Sequence, residues 1–242
     1  MNNEANQAFS PEPIPSGDLN LTPDTQELPQ SAGSLAHDSP IFLVGMMGAG
    51  KTTIGKALAR VLHREFIDLD HELEARCGVR IPVIFEIEGE QGFRKRECQV
   101  LDDCTVQPNL VMATGGGAVL AEENRRALQS RGIVIYLRAS VDELYRRTSR
   151  DRNRPLLATP DPKATLRGLL EMREPLYESV ADVVVDTGTT SVSQLVAQIV
   201  EGLRHIDKVI DRSAQSRPGN SSASMRADFA ASHTEENKPC TP

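Results

Sequence analysis

The chain has 242 residues, with 27 Lys and Arg against 34 Asp and Glu, a formal net charge of -7 and a pI near 5.3. That balance excludes a general nucleic-acid binder, because non-specific affinity for phosphate needs a cationic surface. No apolar run approaches the roughly 20 residues that span a bilayer, and the first residues have neither a secretory apolar core nor an Arg-rich organelle address, so the expectation is a soluble cytoplasmic protein.

Residues 1–39 are rich in Pro, Ser, Asn, Gln and Asp and almost without aromatics, a composition too polar to bury a core, and they read as a disordered arm. "IFLV" (Ile41–Val44) is a short apolar run of the kind that a strand buried on both faces shows. It runs into "GMMGAGKTT" (Gly45–Thr53), after which Ile54, Ala57, Leu58, Val61 and Leu62 recur at helical spacing. Further strands are predicted over Glu65–Asp70, Leu110–Ala113, Gly132–Leu137 and Asp182–Asp186, with helical patterns between them. Ser140 with Glu143, and Ser191 with Gln194, have capping-box spacing and mark two helix starts. The last helix carries Val192, Leu195, Val196, Ile199, Val200 and Leu203 on one stripe, and from Asp207 the chain reads as a second disordered tail. One domain over residues 40–206 follows, an α/β fold with a parallel sheet covered on both faces. Ligands on such sheets sit at the carboxyl ends of strands, here just after Val44, Asp70, Ala113 and Leu137. Cys77, Cys98, Cys104 and Cys240 form no C-x-x-C pair and read as reduced structural thiols.

Gly45, Gly50, Lys51 and Thr52 satisfy G-x-x-x-x-G-K-[ST] between a buried strand and a helix, which is where a phosphate cradle works. Backbone N–H groups curl toward phosphate oxygens, the helix N-terminus adds its positive end, Lys51 reaches the β- and γ-phosphates, and the Thr52 hydroxyl suits Mg²⁺. The D-x-x-G and N-K-x-D sequences of guanine switches are absent, and the apolar strand "LVMA" ends in glycines rather than the acid of an ATPase motor. Asp68 and Asp70, two apart on the predicted second strand, would project to one side and serve one site, or are a solvated strand end with Asp70 capping a helix. "FRKR" (Phe93–Arg96) suits either a solvated helix face or a carboxylate grip. "TGGG" (Thr114–Gly117) permits close approach of backbone to a small ligand, or is a flexible turn. "RRTSRDRNRPLL" (Arg146–Leu157) is the most basic segment and suggests either a lid that carries Arg over the phosphates or an exposed, self-repelling loop. Arg173 in "MREPLYE" is expected near a helix end, because a proline follows.

Six stretches in this order, "GMMGAGKTTIGKALA", "FIDLDHELE", "IFEIEGEQGFRKRE", "ATGGGAV", "RPLL" and "REPLYE", resemble the shikimate kinases over about Ile41 to His205. The resemblance implies the nucleoside monophosphate kinase-like P-loop fold, a five-stranded parallel sheet of order 2-3-1-4-5 with a lid at about 147–162 and a shikimate-binding region at about 70–100. It implies Mg²⁺-dependent transfer of the ATP γ-phosphoryl group to the 3-hydroxyl of shikimate, in chorismate and aromatic amino-acid biosynthesis. Carried over by position, Gly48, Ala49, Gly50, Lys51, Thr52 and Thr53 would hold ATP, Thr52 would ligate Mg²⁺, and Asp68 would support it through water. Lys51, Asp70 and Arg154 would be catalytic, with Asp70 the base on the reacting hydroxyl and Arg154 the lid arginine on the phosphates. Arg147 would lie by the adenine, and Arg94, Gly116 and Arg173 would join Asp70 around shikimate. A monomer is expected from the same likeness. The rivals are a gluconate kinase-like enzyme, which should lack the Arg94 and Arg173 pair, and a regulatory module that binds ATP without an acceptor.

Overall fold

None of the four residues of β1 (Ile41–Val44) has any solvent exposure. The reason is its central place: it pairs in parallel with β3 (Leu110–Ala113) on one side and β4 (Ile133–Arg138) on the other. β2 (Glu65–Asp68) and β5 (Val183–Asp186) complete a parallel sheet of order β2-β3-β1-β4-β5. The computed structural model describes residues 38–149, 157 and 159–215, with side chains as far as residue 206. The helices are α1 (Lys51–Leu62), α2 (Leu69–Cys77), α3 (Ile81–Thr105), α4 (Glu122–Arg131), α5 (Val141–Thr148), α6 (Pro162–Val180) and α7 (Val192–Gln215).

Strand alternation sorts these helices onto two faces. Leu43 points to α1, where a Cβ on Gly55 would come within 2.9 Å of its Cδ1 and within 2.5 Å of the Phe66 ring. Val183 belongs to the same face through its register with Ile135, itself opposite Leu43, and it meets Gly202 of α7. α1 and α7 accordingly pack on each other. Tyr136, in register with Val44, points the other way and stacks on Tyr177 of α6, and α6 is in turn packed on α4. Gly55 is the tightest join on the first face, so Gly55→Val is expected to lower stability by about 1–3 kcal/mol through overpacking. A urea titration showing a lower midpoint at unchanged slope is the check, and an unaltered midpoint would mean that Leu43 and Phe66 yield without cost.

Several boundaries differ from the sequence reading, each for a local reason. β2 stops at Asp68, because the Asp68 side chain accepts from the Asp70 N–H at 3.2 Å and so caps α2. Asp70 therefore lies in a helical first turn and not on the strand. Arg173 sits inside α6, which continues past Pro175 to Val180; the prolines fall at its start and on its exposed side. α7 is continuous to Gln215, so the tail boundary expected after residue 206 falls inside a helix. β4 and β5 are each displaced or trimmed by one residue. The Ser140–Glu143 box is formed in both directions, and the Ser191–Gln194 pair has the same reciprocal bonds. α3 bends at Gly89, whose φ of 68° and ψ of -174° interrupt the helix.

Candidate active site

The loop from β1 to α1 is glycine-dependent at its root. Gly45 has φ of 139°, and a Cβ there would lie 2.6 Å from the Leu137 carbonyl oxygen, so no other residue fits. Gly50 takes a left-handed conformation as N-cap of α1 and brings no side chain to the helix N-terminus. The first amides of α1 thus open toward the cleft, an arrangement that attracts anions. Lys51 Nζ donates to the Gly45 and Met46 carbonyls at 2.8 and 2.9 Å, which holds its charge across the loop mouth. Ala49 behaves differently from its neighbours: its N–H is taken by the Met46 carbonyl at 3.1 Å and its side chain is fully buried. It shapes the loop and does not face the cleft.

Asp68 divides its carboxylate between two tasks. One oxygen caps α2, and the other accepts the Thr52 hydroxyl at 2.7 Å, tying the end of β2 to the first turn of α1. Asp70, two residues on, is half-buried. Burial raises its carboxyl above the ordinary carboxylate value, the Asp68 charge pushes the same way, and Lys51 opposes them. Asp70 and Asp68 share a cleft of about 430 Å³ with the loop residues Gly48, Gly50, Lys51 and Thr52, and with Gly116.

The glycine turn after β3 forms the adjoining wall, with Gly116 against the phosphate-loop backbone at Gly45 and Met47. A Cβ on Gly115 would come within 2.7 Å of Asp70 Oδ1 and 2.9 Å of Glu97 Oε1, and one on Gly117 within 2.5 Å of an Arg94 guanidinium nitrogen. The basic run of α3 is split by helix geometry: Arg94 turns inward and donates to Glu97 at 2.7 Å, while Lys95 and Arg96 are exposed. Glu97 is only 1% exposed. Its burial raises its carboxyl and the Arg94 charge counters that. Arg173, 5% exposed, donates to the Gly116 carbonyl at 3.2 Å, and its Nε is buried with no hydrogen-bond partner among the described residues. Both arginines therefore back the glycine turn. Arg147, in the last turn of α5, clips the loop to the β5–α7 connection, donating to the carbonyls of Gly48, Thr187 and Gly188. Arg154 lies outside the described residues.

Two participants went unnoticed in the sequence. Glu97 falls in the buried stripe Phe93, Glu97, Val100, Leu101, Cys104, where a carboxylate among apolar residues at helical spacing was the available signal. Tyr177, four residues after Arg173, was the other.

A parallel sheet of order 2-3-1-4-5, a phosphate loop opening α1, and acids at the carboxyl end of β2 define a P-loop kinase of the nucleoside monophosphate kinase-like fold. A family model described as shikimate kinase matches residues 47–204. The chain belongs to the shikimate kinase family. A shikimate kinase of Bordetella pertussis (strain Tohama I) is 68% identical over 179 residues, covering 74% of this chain and 85% of the relative. One of Bordetella avium is 63% identical over 203 residues, covering 78% and 97%. Among solved structures, a shikimate kinase from Acinetobacter baumannii in complex with shikimate is 50% identical with a TM-score of 0.66, over 67% of this chain and 91% of that one.

Proposed function

We propose that the cleft lined by the phosphate loop and the glycine turn is where this enzyme joins its two substrates, with the donor on the phosphate loop and the acceptor on the glycine turn. The enzyme transfers the γ-phosphoryl group of ATP to the 3-hydroxyl of shikimate, giving shikimate 3-phosphate and ADP in the route to aromatic amino acids. The family match sets aside the gluconate kinase-like and non-catalytic readings. The observation that carries the residue assignment is the separation of the two acids: Asp68 is bonded to Thr52 on the donor side, whereas Asp70 stands against the glycine turn.

On the donor side the amides of Gly48 and of Gly50 to Thr53 and the Lys51 ammonium take the phosphates, while Ala49, its own N–H bonded to Met46, shapes the curl. Arg147 borders the adenine, and Arg154 is assigned to the lid. Thr52 would hold Mg²⁺ through its hydroxyl oxygen and Asp68 would support it through water, hard oxygen donors of the kind that suits this ion. When bound, Mg²⁺ neutralises charge on the phosphate oxygens. On the acceptor side Arg94 and Arg173 take the carboxylate, for which the unpartnered Arg173 Nε is a ready donor. Asp70 accepts the proton of the attacking hydroxyl, and Gly116 lets the ring approach the backbone. The enzyme is read as a cytoplasmic monomer.

A coupled assay of ADP release tests this, run with shikimate, with gluconate and with no acceptor. ADP release that depends on shikimate is expected, with Lys51→Ala losing at least about 10²-fold in kcat, in line with removal of a preorganised charge-stabilising group. Normal transfer by Lys51→Ala would remove the loop from the mechanism.

A further inference from the structure

Two side chains of α6 converge on one carbonyl of the glycine turn. Arg173 Nη1 donates to Gly116 O at 3.2 Å, and the Tyr177 hydroxyl donates to the same oxygen at 2.5 Å. Four residues apart, they share a helix face, and a carbonyl oxygen has lone pairs for both. Tyr177 has no solvent exposure, and its ring stacks on Tyr136 with centroids 5.1 Å apart and planes at 24°. The hydroxyl is therefore held at a fixed place by a packed ring. Burial pushes it up to about 12, so it stays a donor through the neutral range.

The glycine turn has few other restraints at this point. The Gly115 and Gly117 carbonyls accept from the Ala118 and Leu120 amides, which leaves the Gly116 carbonyl to be fixed by side chains. In a planar trans peptide the C=O and the following N–H point in opposite directions. Anchoring Gly116 O on α6 thus turns the Gly117 N–H away from α6, and that amide has no backbone partner among the described residues.

We propose that Tyr177 is a positioning residue for the acceptor: its hydroxyl, together with Arg173, sets the Gly116–Gly117 peptide so that its amide is presented to shikimate. The inference rests on the reading of the glycine turn as the acceptor wall. It is specific to the hydroxyl and separate from the packing role of the ring.

Steady-state kinetics of Tyr177→Phe and Tyr177→Leu, measured for both substrates alongside Arg173→Ala, test it. Tyr177→Phe keeps the stacked ring and is expected to raise the KM for shikimate about five- to tenfold, the size of one lost hydrogen bond, with the KM for ATP changed less than about twofold. Amide hydrogen exchange over Gly115–Gly117 should quicken in the same variant. If Phe serves as well as Tyr and only Leu is impaired, for both substrates alike, the ring merely packs and the proposal falls. If Arg173→Ala shifts the shikimate KM while Tyr177→Phe does not, the proposal again falls but the acceptor wall stands. If neither shifts it, the acceptor wall itself is misplaced.

Discussion

Asp70→Asn should cut kcat by about 10²- to 10⁴-fold while leaving the KM for ATP nearly unchanged, the range expected when a general base is removed. The geometry gives the reason for the split. Asp70 stands between Lys51, whose charge lowers its pKa, and the glycine turn, and the burial that raises its pKa is the larger influence. An acid lifted above the ordinary carboxylate value is a stronger base for a hydroxyl proton than an exposed aspartate. The sign on pH follows: the base must be ionised to work, so a raised pKa moves the acid limb of the kcat/KM profile upward from 3.8. The amide of Asn cannot ionise, and that limb should vanish from whatever activity is left. Near-normal turnover, or an acid limb that survives in the variant, would assign the base elsewhere. Asp68 is the control of contrasting kind, because its bond to Thr52 predicts a loss that tracks Mg²⁺ concentration.

The donor half of this site was the more legible in sequence because it is local. Nine consecutive residues from Gly45 to Thr53 carry the cradle, and their conformation follows from glycine and the adjoining helix. The proposed acceptor half draws on β3, α2, α3 and α6, so each piece looked ordinary alone. Asp68 and Asp70 line one cleft, but only Asp68 is on the strand, and nothing in "FIDLD" distinguishes a strand end from a helix cap until the Asp70 amide is seen to bond Asp68. Arg173 was expected at a helix end because Pro175 breaks helices in isolation. Here the buried face made by Arg173, Tyr177 and Val180 holds α6 together while the proline faces out. Arg94 was separable from Lys95 and Arg96 only once the helix phase was known, and that phase is set by Phe93, Val100 and Leu101 packing inward. Short-range chemistry was readable, and the long-range pairing needed the fold.

Arg94→Ala is expected to have two effects with different pH dependence, and they can be taken apart. Its first consequence is loss of a grip on the shikimate carboxylate, a rise in KM for shikimate of about 10- to 100-fold, taking a charged hydrogen bond at about 1.5–3 kcal/mol, with ATP binding largely kept. Its second is structural. Arg94 is the ion-pair partner of Glu97, which is almost fully buried, so its removal strands a carboxylate at a cost of about 1–3 kcal/mol at neutral pH. Burial already lifts the Glu97 carboxyl, and Arg94 is the first influence holding it down, so in the variant the folded-state pKa climbs further above the unfolded value. Below about 4.5 the group is protonated in both states and the penalty is absent; it accrues as pH rises through the window up to the raised folded pKa. Urea unfolding at pH 5 and at pH 7.5 should therefore show Arg94→Ala closer to the parent protein at the lower pH. Adding Glu97→Gln removes the stranded charge, and the double variant should recover stability at pH 7.5 without recovering shikimate affinity. A double variant that regains both would make Arg94 a structural residue whose effect on shikimate is indirect, and one that regains neither would mean that the Arg94–Glu97 pair contributes through packing alone.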